Sequence, residues 1–458
     1  MAAVAVELHG SRFDPARVHA QVRGDALLLM DRVSGRWGTV PAVWVDLLPM
    51  TVTASAAATS AAATALREYM IEHDIGTRGG DRSFGTLNTL IIKLTAACNH
   101  ACTYCYDFEA TFGARRIDPA VALKTVEEAL DECDGSLQVI LHGGEPMLVW
   151  DLVEDLVVRS EAAAVQRGKV LRFVGQSNMS LLSARIGRFS VEHDIVWGVS
   201  VDGPADVHDH FRVYRNGRGT YADFARSLEA FPNFMRTCGV LSTVTRANEG
   251  RLLEVAAHFR DLGMPSWDWT LFQAIGRGRH EADRFEPDVE TVVASWVALY
   301  DAVCAGEFHG FPVVPVLSYV QNFVRGPGPN MCMRPQCGAA RDLASISVDG
   351  TIEACDCIDR TGPLAGLGDA KQVTLAQARA TPQADTIRGR DLSATRCSTC
   401  TWFGVCGGGC LAHAASRDEI PPLACALALT AFDRIAGDLV RPGGDLRRYL
   451  ASVGADAP

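Results

Sequence analysis

Residues 93–106 read Lys93-Leu-Thr-Ala-Ala-Cys98-Asn-His100-Ala-Cys102-Thr-Tyr104-Cys105-Tyr106. The apolar run 90–94 at its start has the length and texture of a strand buried on both faces. Three cysteines spaced Cys-x3-Cys-x2-Cys therefore sit on the loop that leaves this strand. Three thiolates so close together can each hold one iron of a cubane cluster. The fourth iron then keeps an open position for a small molecule, as catalytic metal sites do. The same loop could instead close a zinc knuckle that borrows His100.

Downstream, short apolar runs alternate with longer amphipathic stretches. Strands are expected at 90–94, 137–141, 170–174, 196–201, 240–244 and 267–272. Helices are expected between them at 119–132, 149–166, 181–189, 221–235 and 250–262, with another at 288–306. This repetition places the chain in the α/β class and predicts a partial (β/α)6 TIM-type barrel. A barrel of that kind carries its chemistry at the C-terminal ends of its strands.

Those ends are polar here. The second expected strand ends in Leu141-His142-Gly143-Gly144-Glu145-Pro146, where two glycines allow a ligand to press against the backbone. The third ends in Gln176-Ser177-Asn178 and the fourth in Ser200-Val201-Asp202-Gly203-Pro204. Arg212 follows soon after, a residue type able to grip a carboxylate with two parallel hydrogen bonds.

The 458 residues suggest two to four domains. Residues 1–80 contain no cysteine and read as a small α+β domain: strands at 26–31 and 37–40, a helical turn near 43–48, and a helix at 62–73. The Ala/Thr/Ser-rich stretch 51–60 between them carries no clear preference. The barrel is expected over 81–310, a cysteine-rich domain over 311–436, and a tail over 437–458. A net charge of −11 disfavours nucleic-acid and membrane partners. No apolar run approaches a membrane span, and residues 1–15 lack the pattern of a signal peptide, so a cytoplasmic location is expected.

Fifteen cysteines in such a chain point to metal ligation, not to a disulfide framework. Eight of them, Cys332, Cys337, Cys355, Cys397, Cys400, Cys406, Cys410 and Cys425, fall in the C-terminal region. Eight is the number that two fully ligated four-iron clusters need, and a pair of zinc ribbons is the alternative. The glycines between Cys406 and Cys410 let the backbone fold tightly around inorganic sulfur. Cys133, Cys238 and Cys304 are expected to be buried small hydrophobes.

Together these motifs resemble the radical S-adenosylmethionine (SAM) superfamily over roughly residues 87–430. The resemblance implies that Cys98, Cys102 and Cys105 ligate a [4Fe–4S] cluster whose open iron is chelated by SAM, the source of a 5′-deoxyadenosyl radical. It places Tyr104 along the adenine and Gly143, Gly144, Glu145 and Pro146 at the methionine ammonium. Asn178 would join the SAM pocket, Ser200 would meet the ribose, Arg212 the carboxylate or ribose, and Leu271 or Phe272 the adenine.

The C-terminal cysteines resemble the SPASM extension of radical SAM enzymes that modify ribosomally made peptides and proteins, with two auxiliary [4Fe–4S] clusters. By that pattern Cys332, Cys337, Cys355 and Cys410 hold the first, and Cys397, Cys400, Cys406 and Cys425 the second. Cys357 could replace Cys355. The run from Cys332 to Ala340 resembles cyclophane-forming members.

The implied function is a maturase that abstracts hydrogen from a residue of a precursor peptide and closes an oxidative cross-link: carbon–carbon, thioether, carbon–oxygen or carbon–nitrogen. An external electron donor is implied, and the N-terminal domain resembles leader-peptide recognition domains of winged-helix type, with a structural cap as the alternative. The competing readings are a sulfatase-type maturase that makes formylglycine, with Asp356 and Asp359 near an auxiliary ligand, and a non-enzymatic iron–sulfur electron carrier.

Overall fold

The first barrel strand, Thr89–Thr95, is buried at all seven positions. In the computed structural model, which describes residues 6–8, 11–49, 60–77, 85–328, 330–440 and 443–455, five more parallel strands follow it. They are Ser136–Gly143, Val170–Ser177, Val196–Ser200, Gly239–Val244 and Trp267–Leu271. Each pairs with the next in sequence, through registers such as Leu90 with Val139, Val139 with Phe173 and Val240 with Trp267. The second to fifth strands alternate buried with half-buried positions instead of reading as continuous buried runs. One face meets the helices and the other faces the barrel interior, and that interior holds a cavity.

The connecting helices lie close to their expected places, and their departures have local causes. The helix expected over 221–235 divides into Tyr221–Ala230 and Pro232–Met235, because the residue before a proline leaves helical geometry. The helix expected from 181 starts at Ala184, where the Ser183 side chain accepts from Ile186 N.

The region 331–425 is more regular than its short apolar runs suggest. Leu343–Ile346 pairs in parallel with the first barrel strand, Leu343 opposite Thr89 and Ile346 opposite Ile92. Thr351–Glu353 and Gly368–Asp369 extend this into one nine-stranded sheet. Helix Pro422–Leu439 runs straight through residues 436 and 437. Beyond it, Asp445–Ser452 buries Leu446, Tyr449 and Leu450, and the Tyr449 hydroxyl accepts from Val313 N at 2.7 Å. The segment expected as a tail is thus packed into the main core.

In the N-terminal region Val18–Arg23, Ala26–Asp31 and Trp37–Pro41 form an antiparallel sheet, followed by the turn Ala42–Leu47 and helix Ala61–Glu72. Val18–Arg23 escapes sequence reading because its side chains are half-buried or exposed. Leu27 and Leu29 pack with Leu66 and Met70, whereas Leu28 and Met30, on the opposite face, join the main core. The sheet is therefore held between its own helix and the C-terminal domain. Trp37 Nε1 donates to Phe323 O at 2.8 Å, and His19 Nδ1 lies 2.9 Å from Thr401 Oγ1. Most of the stretch without clear preference, residues 51–59, lies outside the described residues. Among the described residues no helix is long and apolar enough to cross a membrane.

Candidate active site

The loop that carries the first three cysteines is pinned on both sides. Gly144 N donates to Thr95 O at 2.6 Å and Glu145 N to Ala97 O at 2.9 Å. Ala101 N and Thr103 N donate to Val213 O and Phe211 O at 2.7 and 2.9 Å. A Cβ on Gly144 would stand 2.1 Å from Ala97 O, so only glycine permits this approach. Cys98, Cys102 and Cys105 consequently open onto one cavity of about 280 Å³ at the C-terminal ends of the strands.

Every other residue expected at the SAM site, except Pro146, lines the same cavity: Tyr104, Gly143, Gly144, Glu145, Asn178, Ser200, Arg212 and Leu271. Pro146 begins the turn behind Glu145. The buried Glu145 carboxylate accepts from Asn178 N at 2.9 Å, Ser177 Oγ at 2.8 Å and Met147 N at 3.1 Å, so it ties the second strand end to the third. Asn178 Nδ2 donates to Asn99 Oδ1 at 3.1 Å, and Ser200 Oγ accepts from Gln176 Nε2 at 2.7 Å. Arg212 pairs with Asp202, Nε to Oδ1 at 3.0 Å. Tyr104 OH donates to the other Asp202 oxygen at 2.6 Å, and its ring joins Phe211, Phe272 and Phe285 in an aromatic wall.

The thiols suit a metal cluster. Burial pushes the Cys105 thiol up to about 11 and Cys98 higher still, so in this setting ionisation needs a cation in the cavity. The donors are three sulfurs with no carboxylate among them, a set that fits iron–sulfur ligation. His100, the candidate fourth ligand of a zinc knuckle, also lines the cavity. Its Nε2 lies 3.4 Å from Asp223 Oδ2, and its ring stands edge-on to Tyr214. Burial, then the charge of Arg212, lowers its pKa to about 4 and keeps it neutral.

The C-terminal cysteines gather in two groups that interleave along the chain. The thiols of Cys332 and Cys410 share a hydrogen bond that draws Cys410 down and pushes Cys332 up. Cys337 and Cys355 both stand close enough to feel the charge of Cys410. Cys397, Cys400, Cys406 and Cys425 surround a small separate cavity walled by Trp402 and Phe403. The switch between groups happens at Gly407, Gly408 and Gly409, all at positive φ (69°, 79° and 80°). Cys357 adds a fifth thiol to the first group and also lines the cavity of Cys98. Cys133 and Cys238 are buried and Cys304 half-buried.

Sequence reading missed the polar network in the cavity wall. Tyr106 OH donates to Asp356 Oδ2 at 2.8 Å and lies 3.2 Å from His142 Nε2. Lys93 Nζ pairs with Asp107 at 2.6 Å, and Arg360 bridges Asp107 at 3.0 Å and Glu353 at 2.7 Å. One clue was present: a lysine inside a fully buried strand requires a buried counter-charge.

A family model described as the Radical SAM superfamily matches residues 92–259, the segment that carries the end of the first strand and the whole of the second to fifth. This chain carries a radical SAM domain. Proteins similar to it include known maturases. The chain is 22% identical over 353 residues to the cysteine-type anaerobic sulfatase-maturating enzyme of Clostridium perfringens, covering 73% of this chain and 91% of that one. It is 29% identical over 338 residues to the mycofactocin maturase MftC of Mycobacterium ulcerans, covering 70% and 82%. Among solved structures it is similar to native anSMEcpe with bound AdoMet and Kp18Cys peptide, at a TM-score of 0.66 and 19% identity, covering 76% of this chain and 98% of that one. These likenesses support the SPASM maturase reading, and the electron-carrier reading falls.

Proposed function

We propose that this radical SAM maturase acts on a ribosomally made precursor peptide, abstracting a hydrogen atom from one residue and closing an oxidative cross-link. The bond is carbon–carbon (including a cyclophane), thioether, carbon–oxygen or carbon–nitrogen. Bound SAM and the cluster at Cys98, Cys102 and Cys105 would supply the 5′-deoxyadenosyl radical, with first electrons from an external donor. The chain's own residues bind and shield. Gly144 and Glu145 fix the loop, Arg212 and Asp202 present a neutralised pair at the wall, and the aromatic wall at Tyr104 keeps water out. Two further [4Fe–4S] clusters on the interleaved cysteines would take the electron released as the product forms.

The observation that carries the precursor-peptide reading is one edge of the N-terminal sheet, along which Thr39 N donates to Tyr69 OH at 3.1 Å. Trp37–Pro41 is its outer strand, and beside it runs a groove of about 890 Å³ bounded by Tyr69, His73, Val324 and Leu439. An extended leader can add there as a further strand. The relatives that act on peptides, including the structure solved with Kp18Cys peptide, support a peptide substrate. Asp356 favours a second reading, formylglycine formation. Its carboxylate, hydrogen-bonded to Tyr106, stands beside the cavity where a substrate proton would be released.

The test is to incubate reconstituted, dithionite-reduced protein with SAM and a small precursor peptide encoded beside it. Deoxyadenosine together with a peptide that has lost two hydrogens and does not react with an aldehyde probe is the expected result. An aldehyde-positive product would establish the sulfatase-type reaction instead.

A further inference from the structure

Four thiols complete a four-iron cluster, yet the first auxiliary site gathers five. Cys357 Sγ lies within 4.8 Å of Cys355 Sγ. Of the five, Cys357 alone lines the cavity that contains Cys98, Cys102 and Cys105. Gln273, two residues past the sixth barrel strand, lies beside it, and its amide lies 2.8 Å from His413 Nε2. The other end of that amide, Oε1, is shielded from solvent and has no partner among the described residues, and Gln273 lines the same cavity. A buried carbonyl left without a donor carries a free-energy penalty that a ligand N–H relieves. His413 follows Cys410 by three residues, so the auxiliary segment itself sets the orientation of this amide.

We propose that Cys357 and Gln273 form a substrate subsite on the auxiliary side of the cavity. Cys357 is a free thiol facing the peptide, Cys355 is the iron ligand, and Gln273 Oε1 accepts a peptide N–H. Only the identity of the ligand rests on the precursor-peptide reading; the assignment of the two thiols stands apart from it.

The test uses anaerobically reconstituted full-length protein, with iron and sulfide analysis and peptide mass mapping after brief iodoacetamide treatment. Alkylation is expected at Cys357 and not at Cys355. Cys357→Ala is expected to keep about twelve irons, and Cys355→Ala to fall to about eight. Label on Cys355, label on neither, or loss of about four irons in Cys357→Ala overturns the thiol assignment. With a precursor that the enzyme modifies, saturation should slow Cys357 alkylation several-fold. An unchanged rate with such a peptide overturns the subsite, whereas failure to find any modified peptide counts against the proposed function and leaves the thiol result standing.

Discussion

At the scale of single residues, Lys93 has the most to lose. It lies in a strand buried on both faces, and its ammonium answers Asp107 at 2.6 Å and Glu353 at 4.0 Å. Opposite charge outweighs the burial that would neutralise it, and its pKa is raised. Replacing it by methionine leaves two buried carboxylates to share Arg360. Lys93→Met should therefore lose about 3–5 kcal/mol of stability, measured by urea unfolding. Cys98→Ala tests a different residue-level assertion. It should abolish deoxyadenosine formation and leave about eight of twelve irons, since the auxiliary cysteines stand apart from that loop.

At the scale of elements, the sixth strand contains a group that reports on the barrel interior. Asp268 lies opposite Leu241 and on the same side as Thr270, which lines the cavity. Trp269 N donates to it at 2.7 Å, and burial raises its pKa to about 6. The folded state thus holds this proton more tightly than the unfolded chain does. Stability falls as pH rises from about 4 to about 6 and stays lower above. Asp268→Asn should remove that part of the pH dependence and stabilise the protein at pH 7 by at most about 3 kcal/mol, read from denaturation curves at several pH values.

The barrel strands and the first cysteine loop were legible because apolar runs and cysteine spacing are local properties. Leu343–Ile346 was not, because four residues gain strand character only by pairing with Thr89–Thr95, some 250 positions away. The partner of Tyr106 was hidden for the same reason. Asp356 arrives from 250 positions away, and Asp202, although only ten residues before Arg212, meets it only because helix Ala205–Phe211 turns the chain back.

At the scale of the whole molecule, the N-terminal sheet is built against the second auxiliary loop. A Cβ on Gly404 would lie 2.6 Å from Gly35 N, a contact between two backbones with no side chain to yield. The Trp37 ring centroid stands 4.7 Å from that of Phe323, and Phe323 stands 6.1 Å from Trp402, which walls the second auxiliary cavity. The groove beside Trp37 and the second auxiliary cavity therefore share one packed aromatic path. Gly404→Val should push the sheet away and speed loss of about four irons in air while the other clusters persist, a difference that timed iron-release assays can read.

The proposed radical chemistry needs an iron atom left open by Cys98, Cys102 and Cys105. Pulsed electron–nuclear double resonance on the reduced protein with nitrogen-labelled SAM examines that atom directly. Hyperfine coupling from the amino nitrogen of SAM to the cluster is the expected result. A reduced cluster whose spectrum shows no coupling to saturating labelled SAM would contradict it.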